Sequence, residues 1–85
     1  MVKKPAAFFV EYADPVRFAD PAYEPSYDDC AQKNAPNLPL ARALAQKISE
    51  KYNTHVGIYE RRGMEQIEPP YGPWFYDAEW VEDVN

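Results

Sequence analysis

The nine prolines of this 85-residue chain decide where it can form regular structure. A proline lacks a backbone N–H and restricts the residue before it, so it excludes long helices and central strands. Four prolines between residues 13 and 37 favour a loop there, and three between 69 and 73 favour a stiff turn. Regular elements are therefore predicted before, between and after these two segments.

The clearest predicted element is a helix over residues 38–52. Asn37 can accept hydrogen bonds from the first free amides, and Pro39 lies in the first turn, where its missing N–H costs nothing. Asn53 tolerates the left-handed conformation that ends a helix. Apolar residues recur every three or four positions, the pattern of an amphipathic helix on a flat surface. This apolar stripe consists of Leu40, Ala41, Leu44, Ala45, Ile48 and Tyr52.

Three other stretches have the composition of strands. Residues 6–12 predict a first strand, and residues 54–68 predict a β-hairpin whose turn uses a positive φ at Gly63. This hairpin would place Arg61 and Arg62 at an exposed tip. Residues 74–81 alternate between two faces and predict the last strand. A capping-box spacing at Ser26 also favours a short helix over 27–34 within the loop.

These elements predict a single domain over residues 1–85, of the α+β class. We expect a small antiparallel or mixed β-sheet of three to four strands with one long amphipathic helix packed on one face. A chain of this length buries only about 60–65% of its unfolded surface, so it can build one modest core. Hydrophobic residues make up 46% of the chain and aromatic residues 15%, which is too apolar for a disordered segment.

Residues that could carry catalysis are few. Cys30 and His55 are the only cysteine and histidine, so a nucleophilic pair would require these two to meet in the fold. A single cysteine forms no internal disulfide and indicates a reducing, cytoplasmic environment. Asp28 and Asp29 lack the ligand spacing and glycine of a calcium loop, and no zinc ligand set is present. We therefore predict that the chain is not an enzyme and that it binds no cofactor or metal. An enzyme or redox protein that uses Cys30 and His55 is the alternative.

Charge is distributed unevenly along the chain. Residues 64–85 contain six acids and no Lys or Arg, residues 11–32 contain six acids and one Arg, and residues 33–62 contain six bases and two acids. One interpretation is that the acidic faces have no binding role and are solvated surface that keeps a small protein in solution. Alternatively, acids interleaved with aromatic residues form a surface for a basic protein groove. The residues predicted to bind such a partner are Tyr71, Trp74, Asp77, Glu79, Trp80, Glu82 and Asp83.

In size, acidity and lack of catalytic motifs, the chain resembles the inhibitors that phages and mobile elements encode against host machinery, anti-CRISPR proteins among them. The resemblance is one of composition and assigns no residue. It implies a non-enzymatic inhibitor or regulator in the host cytoplasm that occupies a basic or nucleic-acid-binding surface of a larger protein or complex.

The competing interpretation is a small structural or accessory subunit whose aromatic strand completes a sheet edge in an assembly. The net charge of −5 disfavours direct binding to nucleic acid. No stretch has the roughly 20 apolar residues of a membrane span, so no membrane contact is expected. The sequence leaves the oligomeric state open.

Overall fold

A computed structural model describes residues 2–13 and 30–85 of the chain. Its elements are β1 (Phe8–Ala13), β2 (Cys30–Ala35), α1 (Leu38–Tyr52), β3 (Val56–Gln66) and β4 (Trp74–Val84). The strands form one antiparallel sheet in the order β2-β1-β3-β4, with α1 packed on one face. The described residues therefore confirm the predicted α+β class, with four strands and one long helix.

Both ends of α1 are those expected from the sequence. Asn37 has an extended backbone, and its side-chain Oδ1 accepts a hydrogen bond from the backbone N of Leu40 at 3.0 Å. At the other end, Asn53 adopts a left-handed conformation with φ of 51°. The Asn37 cap satisfies one of the backbone N–H groups that a helix leaves unpaired, and the left-handed conformation of Asn53 ends the helix after 15 residues.

The core lies between α1 and the face of the sheet that it covers. Ala41 and Ala45 are fully buried, and their small side chains allow the helix to approach the sheet closely. Leu40 is 52% exposed, so its predicted place in the buried stripe is wrong. The helix contacts the sheet along a line through Ala41 and Ala45. Leu40 precedes Ala41 and is therefore rotated by about 100° around the helix axis, toward solvent. The remaining buried core residues are Val10, Tyr12, Ala35, Ile48, Val56 and Ile58.

Residues 30–34 form a strand and not the end of the predicted short helix. Each residue of β2 pairs with a residue of β1, from Ala13 opposite Cys30 to Phe8 opposite Ala35. Ala35 is buried and Ala31 packs against the core, whereas residues 32–34 between them are exposed, so the sequence hardly reveals a strand here. Six ladder positions and this burial outweigh the weak strand propensity of the segment. The rest of the predicted loop and helix, residues 14–29, lies outside the described residues.

The predicted hairpin over 54–68 is also wrong, because β3 is one continuous strand of 11 residues. Gly63 does have a positive φ, of 62°, but there it accommodates a β-bulge between Arg62 and Glu65. β3 pairs along its length with β4, which continues beyond the predicted end at residue 81 to Val84. The chain reverses instead in the proline-rich segment 67–73.

That reversal is held by backbone hydrogen bonds. The carbonyl oxygen of Glu68 accepts from the N–H groups of Tyr71 and Gly72, at 3.3 and 3.1 Å. The N–H of Val2 donates to the carbonyl oxygen of Pro70 at 3.1 Å. The N-terminal segment therefore contacts the turn that joins β3 to β4.

Candidate functional site

β4 lies at one edge of the sheet and is unusually exposed for a strand so rich in aromatic residues. Residues 75–80 are all exposed, Phe75 and Trp80 to more than half of their surface. Among the described strands, only β3 pairs with it. Neither face of β4 is buried between residues 75 and 80. β1 has six residues against 11 in β3, so within the described residues the sheet is two strands wide over much of the β3–β4 pair.

The side chains of β4 alternate between two faces, as the sequence predicts. We call the face of the sheet turned away from α1 the open face. Trp80 is opposite Tyr59 and Ala78 is opposite Arg61, and opposed residues share a face, so both lie on the open face. Asp77 lies on the other face, opposite Arg62. By the same alternation Trp74 and Tyr76 belong to the open face, and Phe75 and Glu79 to the other.

An aromatic row crosses the open face from the centre of the sheet to its edge. Phe9, Tyr59 and Trp80 are directly opposed on β1, β3 and β4. The rings of Phe9 and Tyr59 stack with their centroids 5.2 Å apart. Exposure rises along the row, from 3% at Phe9 to 57% at Trp80. The outer end of this row thus offers a large aromatic surface with a polar atom, the indole Nε1, which donates to Asp83 Oδ1 at 3.1 Å.

Two of the four acids predicted to bind a partner are ion-paired within the fold. Glu82 accepts a hydrogen bond from Arg42 Nε at 2.6 Å, and Glu79 lies 3.0 Å from Arg62 Nε. Arg62 also donates to Glu60, and this hydrogen bond, followed by the charge of Glu79, raises the pKa of Arg62. The side chain of Asp77 makes no ion pair or hydrogen bond to the described part of the chain. Exposed pairs of this kind contribute little to stability. Asp77 and Asp83 form no ion pair within the described residues, so they carry the unpaired negative charge of β4.

The predicted partner-binding residues do not form one patch. Tyr71 lies in the turn, 74% exposed, while Trp74 is half-buried and its Nε1 donates to the carbonyl oxygen of Val2 at 3.4 Å. Trp80 and Asp83 lie on the open face, and Glu82 lies on the face that α1 covers. A register shift between Ile58 and Tyr59 places Trp80 and Glu82 on different faces, although they are two residues apart in one strand.

The seven residues predicted to bind a partner do not include Phe75 and Tyr76, although both are exposed. Their alternation with the acids was visible in the sequence. The position of β4 at the sheet edge was not, because it depends on which strands pair.

Arg61 is the residue that the sequence placed most wrongly. It was expected at an exposed hairpin tip, yet it is 8% exposed in the middle of β3. Its guanidinium carbon lies 4.5 Å from the ring centroid of Phe9 and 5.0 Å from that of Tyr76. Burial of the guanidinium is unfavourable in itself, and the attraction of the cation to the two aromatic faces offsets part of that cost. Arg61 therefore belongs to the support of the aromatic face and not to its exposed surface.

The two residues of the catalytic alternative lie on different strands or loops of the fold. Cys30 begins β2 and His55 precedes β3, with β1 between these strands. His55 borders a cavity of about 140 Å³, shared with Ser49, Asn53, Thr54 and Asn85. Within the described residues, no hydrogen bond joins the imidazole to either hydroxyl. The same residues contain no group of three or more His, Cys, Asp or Glu side chains suited to a metal ion.

The fold and the edge strand define a small α+β protein: a four-stranded antiparallel sheet, one covering helix and an exposed aromatic and acidic edge. Comparison with protein-family models, curated proteins and solved structures gives no significant match. In the described part of the chain, α1 is too short and too polar to cross a membrane.

Proposed function

We propose that this chain is a non-enzymatic inhibitor or regulator that binds a basic surface of a larger protein through β4. One observation carries the proposal: an edge strand with six consecutive exposed residues that interleave aromatic side chains with acids. Aromatic residues supply most of the contact energy in protein interfaces, and charge complementarity supplies orientation and association rate. A partner that normally binds nucleic acid has a surface of the required sign.

A small accessory subunit of an assembly is the second candidate. The exposed edge of β4 favours it, because an incomplete sheet edge can be completed by a strand of a neighbouring subunit. The two candidates differ in salt dependence. Association driven by the acidic surface slows as ionic strength rises, whereas a contact dominated by apolar burial is nearly insensitive to salt.

A pair of charge variants tests the proposed function. The edge variant carries Asp77→Asn, Glu79→Gln and Asp83→Asn, which keep side-chain size and can still accept hydrogen bonds. The control carries Glu11→Gln, Glu50→Gln and Glu68→Gln, which remove the same amount of charge from positions outside β4. Glu82 stays unchanged in both variants, because its carboxylate is ion-paired with Arg42.

The partner is first recovered by affinity capture on wild-type protein, and association rates are then measured with dilute protein at low and high salt. We expect the edge variant to associate about tenfold more slowly than wild type at low salt and the control to stay close to wild type. The difference should shrink at high salt. Equal rates for the edge variant and the control would show that the acids of β4 do not steer binding. Thermal melting establishes that both variants are folded.

A further inference from the structure

The backbone of β4 has a row of hydrogen-bonding groups that point away from β3. The N–H of Arg61 donates to the carbonyl oxygen of Ala7 at 2.8 Å, so the backbone of Arg61 faces β1. In an antiparallel pair, opposed residues direct their backbone groups either toward each other or both away. Ala78 is opposite Arg61, so its N–H and C=O point to the outer edge. Alternation directs those of Tyr76 and Trp80 to the same edge.

The side chains along this edge specify what an added strand would contain. The backbone groups of Tyr76, Ala78 and Trp80 point outward, and the side chains of these residues lie on the open face. The rings of Tyr76 and Trp80 are exposed there. The intervening residues, Asp77 and Glu79, present carboxylates on the other face. Directly opposed residues of neighbouring strands share a face, and opposite charges there stabilise the pairing. A complementary strand is therefore apolar on one face and basic on the other.

A second copy of this chain is a poor occupant of the edge. Antiparallel pairing of two β4 strands centred on Ala78 would place Asp77 of one copy directly opposite Glu79 of the other, on both sides of the centre. Like charges in directly opposed positions destabilise a strand pair. Charge complementarity thus selects a basic partner segment over self-association.

We infer that β4 binds its partner by strand addition: an extended segment alternating Lys or Arg with apolar residues pairs with the outer edge through Tyr76, Ala78 and Trp80. This rests on the proposed function, because it specifies the contact that the basic partner makes. Main-chain hydrogen bonds hold the segment in place, and the alternating side chains determine which segments fit.

The first test uses wild-type protein and a short synthetic peptide in which lysine alternates with valine. N-methylation of every second residue blocks one edge of the peptide, so that it cannot form its own sheet. Hydrogen exchange is followed residue by residue with and without peptide. We expect new protection at the amides of Tyr76, Ala78 and Trp80, and little change at Asp77 and Glu79, whose N–H groups already face β3. Uniform protection along β4, or none, would overturn strand addition.

The second test removes one outward donor. Ala78→Pro deletes an N–H that takes no part in the β3 ladder, and proline is tolerated on edge strands. Ala78→Val is the matched control, since it keeps the N–H. We expect Ala78→Pro to weaken peptide binding about tenfold or more, by loss of a hydrogen bond and by the clash of its ring with the added strand, and Ala78→Val to bind like wild type. Equal affinities of the two folded variants would contradict the inference.

The two proposals fail in different ways. Normal binding by Ala78→Pro together with weak binding by the edge variant would leave charge-driven binding in place and remove strand addition. Normal binding of the peptide by the edge variant would count against the proposed function. A peptide with glutamate in place of lysine should bind much more weakly than the lysine peptide, and equal affinity would exclude the basic specificity. A stable wild-type dimer not displaced by the lysine peptide would make a second copy the occupant.

Discussion

Arg61 links all four strands through one side chain. From β3, its Nη1 donates to the carbonyl oxygen of Ala6 at 2.8 Å and to that of Phe8 in β1 at 3.4 Å. Its Nη2 donates to Asn34 Oδ1 in β2 at 2.8 Å, and the guanidinium stacks on Tyr76 in β4. The Nε atom is buried and has no hydrogen-bond partner among the described residues, which is a cost of this arrangement. The planar fork of arginine suits such divergent acceptors better than the point charge of lysine.

Replacement of Arg61 should therefore destabilise the fold. Arg61→Met keeps the length of the stem but leaves Asn34 and the Ala6 carbonyl without their donor. We expect a loss of about 2–4 kcal/mol in the free energy of unfolding, with Arg61→Lys losing roughly half as much. Urea denaturation measures both. Arg62→Met is the control, because Arg62 is 61% exposed and its ion pairs contribute little. An Arg61→Met variant as stable as wild type would mean that desolvation cancels the hydrogen bonds of the guanidinium.

Adjacent arginines in a strand also show where sequence reasoning stops at the residue scale. Arg61 and Arg62 point to opposite faces because strand side chains alternate, so one is buried and the other exposed. Their identical chemistry gives no indication of which is which. That choice follows from the register of β3 against β1, which a local pattern next to Gly63 cannot reveal.

At the scale of elements, the helix was predictable and β2 was not. α1 carries its own signals, namely the cap at Asn37 and an apolar repeat, and both act within a few residues of each other. β2 acquires its structure from β1, more than 20 residues away at their outer pair, Phe8 and Ala35. The exposed edge that forms the candidate site depends in the same way on strand order. Only its residue types and their alternation were available from the sequence.

Gly72 in the turn between β3 and β4 and Gly63 within β3 differ in the space around them. A Cβ atom at Gly72 would lie 1.4 Å from the carbonyl oxygen of Ile67, so the turn cannot keep its conformation with alanine there. We expect Gly72→Ala to cost about 3 kcal/mol or more in unfolding free energy. At Gly63 a Cβ meets nothing within 4 Å, so Gly63→Ala costs only the strain of its positive φ, about 1–2 kcal/mol. Thermal and urea denaturation compare the two; equal losses would contradict the tight approach at Gly72.

At the scale of the whole molecule, charge and exposed edge have opposite effects on self-association. A long, aromatic edge strand whose backbone groups point away from the sheet is a template for pairing with another chain. The net charge of −5 opposes this in general, and the acids on β4 oppose it locally. Salt screens the long-range repulsion that arises from net charge, whereas opposed carboxylates in a strand pair repel each other at contact distance, where screening is weaker. The local acids should therefore dominate in physiological salt.

Neutralising these acids should convert the protein to a self-associating one. Wild type is expected to sediment as a monomer in physiological salt, because pairing of two β4 strands brings Asp77 and Glu79 of different copies into opposition. Asp77→Asn with Glu79→Gln removes that repulsion and leaves the aromatic edge intact, so we expect concentration-dependent dimers or larger species in analytical ultracentrifugation. Glu11→Gln with Glu50→Gln changes the net charge equally but lies away from the edge, and this control should remain monomeric. If both double variants associate to the same extent, net charge keeps the protein monomeric; if neither does, the edge of β4 is protected by something other than its carboxylates.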